Sequence, residues 1–258
     1  NPTRILNLAA DCGGIFYNKF NKSIMRNNLE IGFKAVDIAA KFKIPLISSG
    51  TVCSYPKNPK TIPFAEYEIW DGYPEETNAP YGIAKKVCML YQQESHVNGI
   101  TVILANLYGE GDKYRSLKSH VVPALVEKIT DTYLNKRMFG RHKIDIQGTG
   151  NATRDFLNVK DAARVMYEEC LKEHNSYGYY NCGTGVETSI KDLVDIIQKT
   201  CMEMFKYRKI PNIIRFIGGL DGQPRRVLCK PNGSRTFISL SEGIEDCIFD
   251  YLFCLHSQ

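Results

Sequence analysis

Residues 45–49, Pro-Leu-Ile-Ser-Ser, form a short apolar run that ends in hydroxyl side chains, which predicts a short strand. Similar apolar runs occur at 5–10 and 101–107. The segments 23–41 and 81–94, which separate the three runs, are predicted to be helices. This alternation of strands and helices predicts an α/β fold in which crossover helices connect the strands of a parallel sheet.

The pattern changes near residue 110, after Tyr108-Gly109-Glu110-Gly111-Asp112. Beyond it, helices are predicted at 121–132, 159–172 and 189–205, a hairpin-like stretch at 143–150, and mostly loop at 211–235, where Gly, Pro and Arg are frequent. We therefore expect residues 1–110 to belong to one domain. Residues 111–258 should form mainly a second, smaller α/β domain, with some segments that return to the first.

Composition excludes several classes of protein. The chain has 258 residues, 43% hydrophobic and 24% charged, which is ordinary globular usage. Its net charge of +5 comes from scattered basic residues, so nucleic acid is not expected as a partner, although a basic pocket for a small anion is compatible with it. No apolar run approaches the roughly 18–20 residues of a membrane helix, and the first residues do not resemble a signal peptide, so we expect a cytoplasmic protein.

The nine cysteines are spread along the chain without the C-x-x-C spacing of zinc or redox sites, so no metal site is expected. Most are expected to be buried, reduced thiols. Cys53 is the exception, because of the motif that surrounds it.

Tyr81 and Lys85 stand at i and i+4 of a predicted helix, so both side chains share one face. An ammonium near a phenol is expected to lower the pKa of the phenol, which suits proton exchange with a substrate oxygen. The motif follows the strand end Ser48-Ser49-Gly50-Thr51, where a hydroxyl could bind the same oxygen.

The chain resembles the short-chain dehydrogenase/reductase superfamily, in its extended branch that modifies nucleotide sugars. Four stretches carry this resemblance: Leu8-Ala9-Ala10, the set Thr51, Tyr81 and Lys85, Asn106-Leu107-Tyr108-Gly109, and residues 154–161, Arg-Asp-Phe-Leu-Asn-Val-Lys-Asp. The implied fold is a Rossmann-like, doubly wound parallel sheet with a smaller substrate domain.

A closer resemblance is to the GDP-L-fucose synthase family. It rests on residues 10–15 (Ala-Asp-Cys-Gly-Gly-Ile), 52–57 (Val-Cys-Ser-Tyr-Pro-Lys), 76–85, 106–112, 119–125 (Ser-His-Val-Val-Pro-Ala-Leu) and 221–226 (Asp-Gly-Gln-Pro-Arg-Arg). The resemblance implies NADPH-dependent 3,5-epimerisation and 4-reduction of GDP-4-keto-6-deoxy-D-mannose. Inversion at a carbon next to a ketone needs two groups that titrate near neutrality, one on each face of the sugar.

The resemblance also assigns the site residues. The catalytic group comprises Thr51, Cys53, Tyr81, Lys85 and His120, of which Cys53 and His120 exchange protons at the sugar carbons. Cofactor-binding residues are Leu8, Ala9, Ala10, Tyr81, Lys85, Asn106 and Leu107. Substrate-binding residues are Gly14, Asn106, Lys118, Arg154, Arg225 and Arg226, and the choice between the last two stays open because either guanidinium suits a diphosphate.

Members of the superfamily begin with a strand, a glycine-rich turn and a helix that hold the cofactor pyrophosphate. That segment, about sixty residues, has no counterpart in the sequence, so we expect an N-terminally truncated Rossmann-like sheet with an exposed edge. Two alternatives to the synthase activity stay open. One is another NAD(P)-dependent nucleotide-sugar epimerase or dehydratase, and the other is a truncated, inactive protein that binds a sugar nucleotide or a partner.

The resemblance further implies a homodimer. One subunit would pack on the other through the helix predicted to begin at Tyr81 and end at Glu94, together with the helix predicted to begin at Ser23 and end at Lys41. A GDP-sugar is the expected small-molecule partner.

Overall fold

The computed structural model describes residues 2–135, 143–207, 213–219, 221–231 and 235–256. These ranges contain seven helices, α1 Ile15–Phe20, α2 Ile24–Phe42, α3 Ala79–Glu94, α4 Val121–Leu134, α5 Val159–Leu171, α6 Ile190–Met204 and α7 Leu240–His256. They also contain eleven strands, β1 Ile5–Asn7, β2 Leu46–Thr51, β3 Gly99–Leu104, β4 Asn106–Tyr108, β5 Lys143–Ile146, β6 Thr153–Arg154, β7 Phe156–Asn158, β8 Tyr177–Cys182, β9 Thr188–Ser189, β10 Ile213–Phe216 and β11 Arg225–Arg226.

The main sheet has four parallel strands in the order β1, β2, β3, β8. Helices α2 and α3 provide the crossovers from β1 to β2 and from β2 to β3, and they pack on each other. Helix α5 packs on β2 and β3. The predicted α/β fold with a parallel sheet is confirmed, and the carboxyl ends of its strands lie along one edge, where such folds bind ligands.

Two apolar clusters stabilise the chain. One lies around the main sheet and includes Ile47, Val102 and Leu157, all inaccessible to solvent. The other joins α4, α6 and α7 and is represented by Ile129 and Leu193. Burial of each such side chain contributes about 1.5–3 kcal/mol, so both clusters hold their elements firmly.

The short strands β5, β10 and β11 bear on two predictions. The stretch 143–150 is not a hairpin, because β5 pairs in parallel with β10, which comes about seventy residues later in the chain. Among the described residues, 211–235 is mostly loop, as predicted, apart from the strands β10 and β11, and β11 pairs in parallel with β6. Residues 211, 212, 220 and 232–234 of that stretch lie outside the described residues.

The predicted strand at 101–107 is two strands that belong to different sheets. At the break, the Ala105 N–H donates to the Cys182 carbonyl and the Asn106 N–H donates to the Asp155 carbonyl, at 3.1 and 3.0 Å. Strand β4 then pairs with β7. The apolar run therefore predicted that these residues form a strand, but not that the chain passes from the main sheet to a second sheet within it.

Strand β1 lies at an edge of the main sheet, and Leu6 and Leu8 beside that edge are exposed.

The cysteines are less buried than expected: all nine are free thiols, but only Cys182, Cys201 and Cys247 are buried. No helix among the described residues has the length and apolar character needed to cross a membrane.

Gly32 allows α2 to pack closely on α3. A Cβ atom at this position would lie 2.2 Å from the Cys88 Sγ atom and 2.9 Å from its Cβ. We expect Gly32→Ala to lower the free energy of unfolding by about 1–3 kcal/mol, because overpacking outweighs the gain of roughly 1 kcal/mol in helix propensity. Urea denaturation checks this. Gly178→Ala is the control, since its Cβ would lie at an ordinary 3.4 Å from Ile100, and a more stable Gly32→Ala protein would contradict the prediction.

Candidate active site

Thr51 and Tyr81 meet at the carboxyl edge of the main sheet. Thr51 ends β2, and Tyr81 lies in the first turn of α3, where its side chain interacts with that of Thr51. The Thr51 Oγ1 atom also accepts from the Cys53 backbone N–H at 3.2 Å. The structure therefore brings a phenol, a hydroxyl and the backbone of a thiol-bearing residue together, as the motif predicted.

Gly82 makes this contact possible. A Cβ atom on Gly82 would lie 2.1 Å from the Cys53 carbonyl oxygen, so α3 touches the 3₁₀ turn Val52–Ser54 backbone to backbone. The Ser54 hydroxyl adds a hydrogen bond to the Gly82 carbonyl at 2.9 Å. Tyr81 is held beside Thr51 by this close approach.

The Lys85 ammonium is buried beneath Tyr81 on the same helix and donates to the Ser49 carbonyl at 2.9 Å. Burial lowers the pKa of Lys85. The expectation that Lys85 lowers the pKa of Tyr81 is wrong for this structure. Burial raises the pKa of Tyr81 well above its usual range, and the neighbouring Cys12 and Cys53 raise it further.

Cys12 is a site residue that the sequence reasoning missed. Its side chain interacts with that of Tyr81, and its pKa is raised by burial, with a further contribution from Cys53. Cys12 stands in the stretch 10–15 that carried the family resemblance, so its position was available as a signal. The frequency with which free cysteines are buried predicts a structural thiol at this position instead.

His120 directly precedes α4 and is partly exposed, with its Nδ1 atom 3.7 Å from Asp112 Oδ1. Gly14 connects this segment to the loop that carries Cys12. Its N–H donates to the Lys118 carbonyl at 3.1 Å, and a Cβ on Gly14 would lie 2.4 Å from the Ser119 carbonyl oxygen. Gly14 thus serves as a contact point for the His120 segment.

The Lys118 ammonium lies 4.2 Å from the centre of the Tyr17 ring. A hydrogen bond with Tyr17 raises the pKa of Lys118, and Tyr17 in turn donates to Asp11 at 2.6 Å. Lys118 therefore contacts the Cys12 loop region directly.

The cofactor-binding residues inferred from the resemblance lie just after two strands of the main sheet, β1 and β3, at its carboxyl edge. Leu8, Ala9 and Ala10 follow β1, and Leu8 is 56% exposed. Asn106 and Leu107 lie in β4, just after β3. These residues are accessible to a ligand on the side of the sheet where Thr51 and Tyr81 meet.

The structure distinguishes the two neighbouring arginines. Arg225 is exposed and its guanidinium is paired with Glu187. Arg226 is buried, donates from Nε to Gln223 Oε1 at 3.1 Å, and has its Nη2 atom 3.6 Å from Glu75 Oε2.

Arg154 shares this buried region. Its guanidinium donates to the carbonyls of Thr153, Gln223 and Asp221 at 2.7, 2.8 and 3.0 Å. Burial, together with the nearby charge of Arg226, lowers the pKa of Arg154 to about 9. Gln223 and Glu75 were not predicted as site residues. Gln223 stands in the stretch 221–226 that carried the resemblance, so its position was available as a signal, whereas Glu75 lies just outside the stretch 76–85.

The family assignment follows from comparison with known proteins. Residues 1–183 match the model of the NAD dependent epimerase/dehydratase family. The chain therefore belongs to this family, whose members are enzymes.

Within the family, the chain is similar to GDP-L-fucose synthases. It is 30% identical to GDP-L-fucose synthase of Escherichia coli K12 over 234 residues, which cover 85% of this chain and 70% of the relative. The crystal structure of a GDP-L-fucose synthetase from Naegleria fowleri bound to NADP superposes with a TM-score of 0.80 at 22% identity and covers 99% of this chain and 78% of that one. A GDP-6-OMe-4-keto-L-xylo-heptose reductase from Campylobacter jejuni gives a TM-score of 0.84 at 20% identity, with 98% and 83% covered. These likenesses confirm the Rossmann-like fold.

Gly82→Ala tests the backbone contact that positions Tyr81. Because the clash is with a carbonyl oxygen that no rotamer change can relieve, we expect a loss of about 3 kcal/mol or more in unfolding free energy. Ser54→Ala, which removes one hydrogen bond but adds no atom, should cost only about 1–3 kcal/mol. Thermal and urea denaturation compare the two variants. Equal stability of Gly82→Ala and the unmodified chain would show that the contact is not tight.

Proposed function

We propose that the chain catalyses the NADPH-dependent epimerisation and reduction of GDP-4-keto-6-deoxy-D-mannose to GDP-L-fucose. The observation that carries the proposal is the contact of Tyr81 with Thr51, with Cys53 on the adjoining turn. The similarity to GDP-L-fucose synthases supports the choice of substrate.

In the reduction, Tyr81 donates its proton to the C4 oxygen while hydride adds to C4, and the phenol then regains a proton from solvent. The raised pKa of Tyr81 keeps the phenol protonated near neutral pH, which suits this donor role. The Thr51 hydroxyl binds the same oxygen and orients it.

NADPH supplies the hydride when it is bound. The accessible residues Leu8, Ala9 and Ala10 and the nearby Asn106 and Leu107 would hold it at the carboxyl edge. Lys85 would bind a ribose hydroxyl. An ammonium carries three N–H donors, so it can bind Ser49 and a ribose at once.

In the epimerisation, one of Cys53 and His120 removes the proton at C3 or C5, which the C4 ketone acidifies. The other returns a proton to the opposite face, so no net proton is consumed. A thiol and an imidazole both exchange protons near neutral pH.

The nucleotide would bind on the other side of the site. Arg154 and Arg226 present guanidinium groups suited to a diphosphate, and Arg226 is the better candidate of the arginine pair, because Arg225 is already paired with Glu187 at the surface. Gly14 and Lys118 would border the sugar. Residues 1–110 would thus supply most reacting groups, and residues 111–258 most nucleotide contacts.

Turnover in deuterated water tests this function. With GDP-4-keto-6-deoxy-D-mannose, the unmodified chain should oxidise NADPH and yield a product with deuterium at C3 and C5, measured by NMR. Cys53→Ser and His120→Asn should each lower deuterium incorporation about 100-fold or more, since general acid–base catalysis is lost. Cys170→Ser, a partly exposed thiol on α5, is the matched control and should change nothing beyond the small effect of a surface substitution.

The outcomes separate the alternatives. Deuterium incorporation that persists in both variants would contradict the epimerase assignment. NADPH oxidation without deuterium incorporation would indicate a reductase or another family activity. Binding of GDP without any turnover would indicate a sugar-nucleotide-binding protein.

We also propose that the chain forms a homodimer through α2 and α3. Ile38 and Phe42 are exposed one turn apart on α2, and Leu90 is exposed on α3. Exposed apolar side chains on neighbouring helices favour a protein interface.

Light scattering after gel filtration tests the dimer. Phe42→Glu should shift the mass from dimer to monomer, because burial of a carboxylate in an apolar interface is unfavourable. Tyr167→Glu, at an exposed aromatic residue of α5, should leave the mass unchanged. A monomeric unmodified chain would refute the interface.

A further inference from the structure

A line of buried polar side chains joins the two ends of the candidate site. It runs from Arg226 through Glu75 and Asn78 to Asn18 and the backbone of Gly13. The four side chains are between 4% and 7% exposed. Buried polar groups of this kind restrict one another's positions, because each has few other partners available.

At one end of this line, the Arg226 guanidinium has a donor atom available to bind an anion. Its Nη2 atom is buried and has no hydrogen-bond partner among the described residues. An unsatisfied buried N–H of a charged group is costly, which points to an acceptor atom supplied by a ligand. The space beside it is limited: a Cβ on Gly222 would lie 3.8 Å from both Arg154 Nη2 and Glu75 Oε2.

In the middle, Glu75 is an ionised carboxylate. It accepts from the Thr77 N–H at 3.1 Å, from the Thr77 hydroxyl and from the Asn78 side-chain amide at 3.1 Å. Burial alone would raise the pKa of Glu75, but these hydrogen bonds and the charge of Arg226 lower it below its usual value. The carboxylate therefore compensates the Arg226 charge at neutral pH.

At the other end, the line reaches the catalytic loop. Asn78 directly precedes α3, the helix of Tyr81, and its Oδ1 atom accepts from Asn18 Nδ2 at 2.9 Å. Asn18 Oδ1 accepts from the Gly13 N–H at 3.1 Å, and the side chain of the neighbouring Cys12 interacts with Tyr81. The charge on Arg226 is thus connected to the start of the Tyr81 helix and to the loop that carries Cys12.

We propose that Glu75 is a positioning residue that couples occupation of the anion site at Arg226 to the placement of Tyr81 and of the Cys12 loop. The inference rests on the proposed function for the identity of the anion, a nucleoside diphosphate. A diphosphate oxygen that accepts from Arg226 Nη2 competes with Glu75 for that guanidinium. Glu75 then keeps only its hydrogen bonds with Thr77 and Asn78. The resulting change in the position of Asn78 moves Asn18 and, through it, Gly13.

The test compares Glu75→Gln with Glu76→Gln in the full chain. Glu76 is the matched control, because it is the adjacent carboxylate but is exposed and paired with Lys57 at 2.9 Å. Two quantities are measured: GDP affinity by calorimetry, and the rate at which iodoacetamide alkylates Cys12, followed by peptide mass spectrometry. Steady-state kinetics with the keto-sugar give kcat and KM.

In the unmodified chain and in Glu76→Gln, GDP should change the alkylation rate of Cys12 by about fivefold or more, the usual lower range of a coupling between sites. In Glu75→Gln, GDP should still bind, but the alkylation rate should no longer respond. Its kcat should fall about tenfold or more while KM changes little, because positioning rather than binding is lost. A response that persists in Glu75→Gln would show that GDP shields Cys12 directly and would overturn the proposal.

Asn18→Ala provides a second variant should Glu75→Gln fail to fold. It breaks the line between Asn78 and Gly13 without a change of charge, and the same loss of response is expected. If the unmodified chain binds no GDP, the proposed function fails. The positioning role of Glu75 is then judged from alkylation without nucleotide: a faster rate in Glu75→Gln than in Glu76→Gln supports it, and equal rates refute it.

Discussion

The backbone contact between the first turn of α3 and the turn after β2 is the constraint on which the candidate site depends. Gly82 lies so close to the Cys53 carbonyl that no side-chain carbon fits between them. The contact sets Tyr81 beside Thr51 and directs Lys85, one helical turn later, toward the Ser49 carbonyl. Because helix and strand are both rigid, one contact between them positions all three side chains.

Burial determines the electrostatics of the site. The pKa of Tyr81 is raised, and those of Lys85 and Arg154 are lowered, in each case because the charged form loses solvation. A protonated phenol is the form needed by a proton donor to an oxygen. A guanidinium that lacks solvent gains more from an anionic ligand than an exposed one does, since the dielectric screening is weaker.

The nucleotide side of the site is assembled from distant parts of the chain. Arg154 ends the short strand β6, whereas Gln223 and Arg226 come from residues beyond β10. The buried Asp155 carboxylate helps to join these segments, because it accepts from the backbone N–H groups of Thr184 and Leu228 at 3.0 and 3.3 Å. Because parallel pairing joins segments that are far apart in the chain, this side of the site forms only when these segments have packed together.

The sequence alone determined the α/β class, three of the four strands of the main sheet and the crossover helices between them, because apolar periodicity and turn residues are local signals. It also determined which motifs hold Thr51, Tyr81 and Lys85, since their spacing on a strand end and a helix is local as well. The pairing of β5 with β10, the direction of the Tyr81 pKa shift and the distinction between Arg225 and Arg226 were decided only by the tertiary structure. The same holds for Cys12 and Glu75, whose roles depend on neighbours far away in the chain. Burial and long-range contact are properties of the packed chain, and adjacent residues with identical chemistry can differ in both.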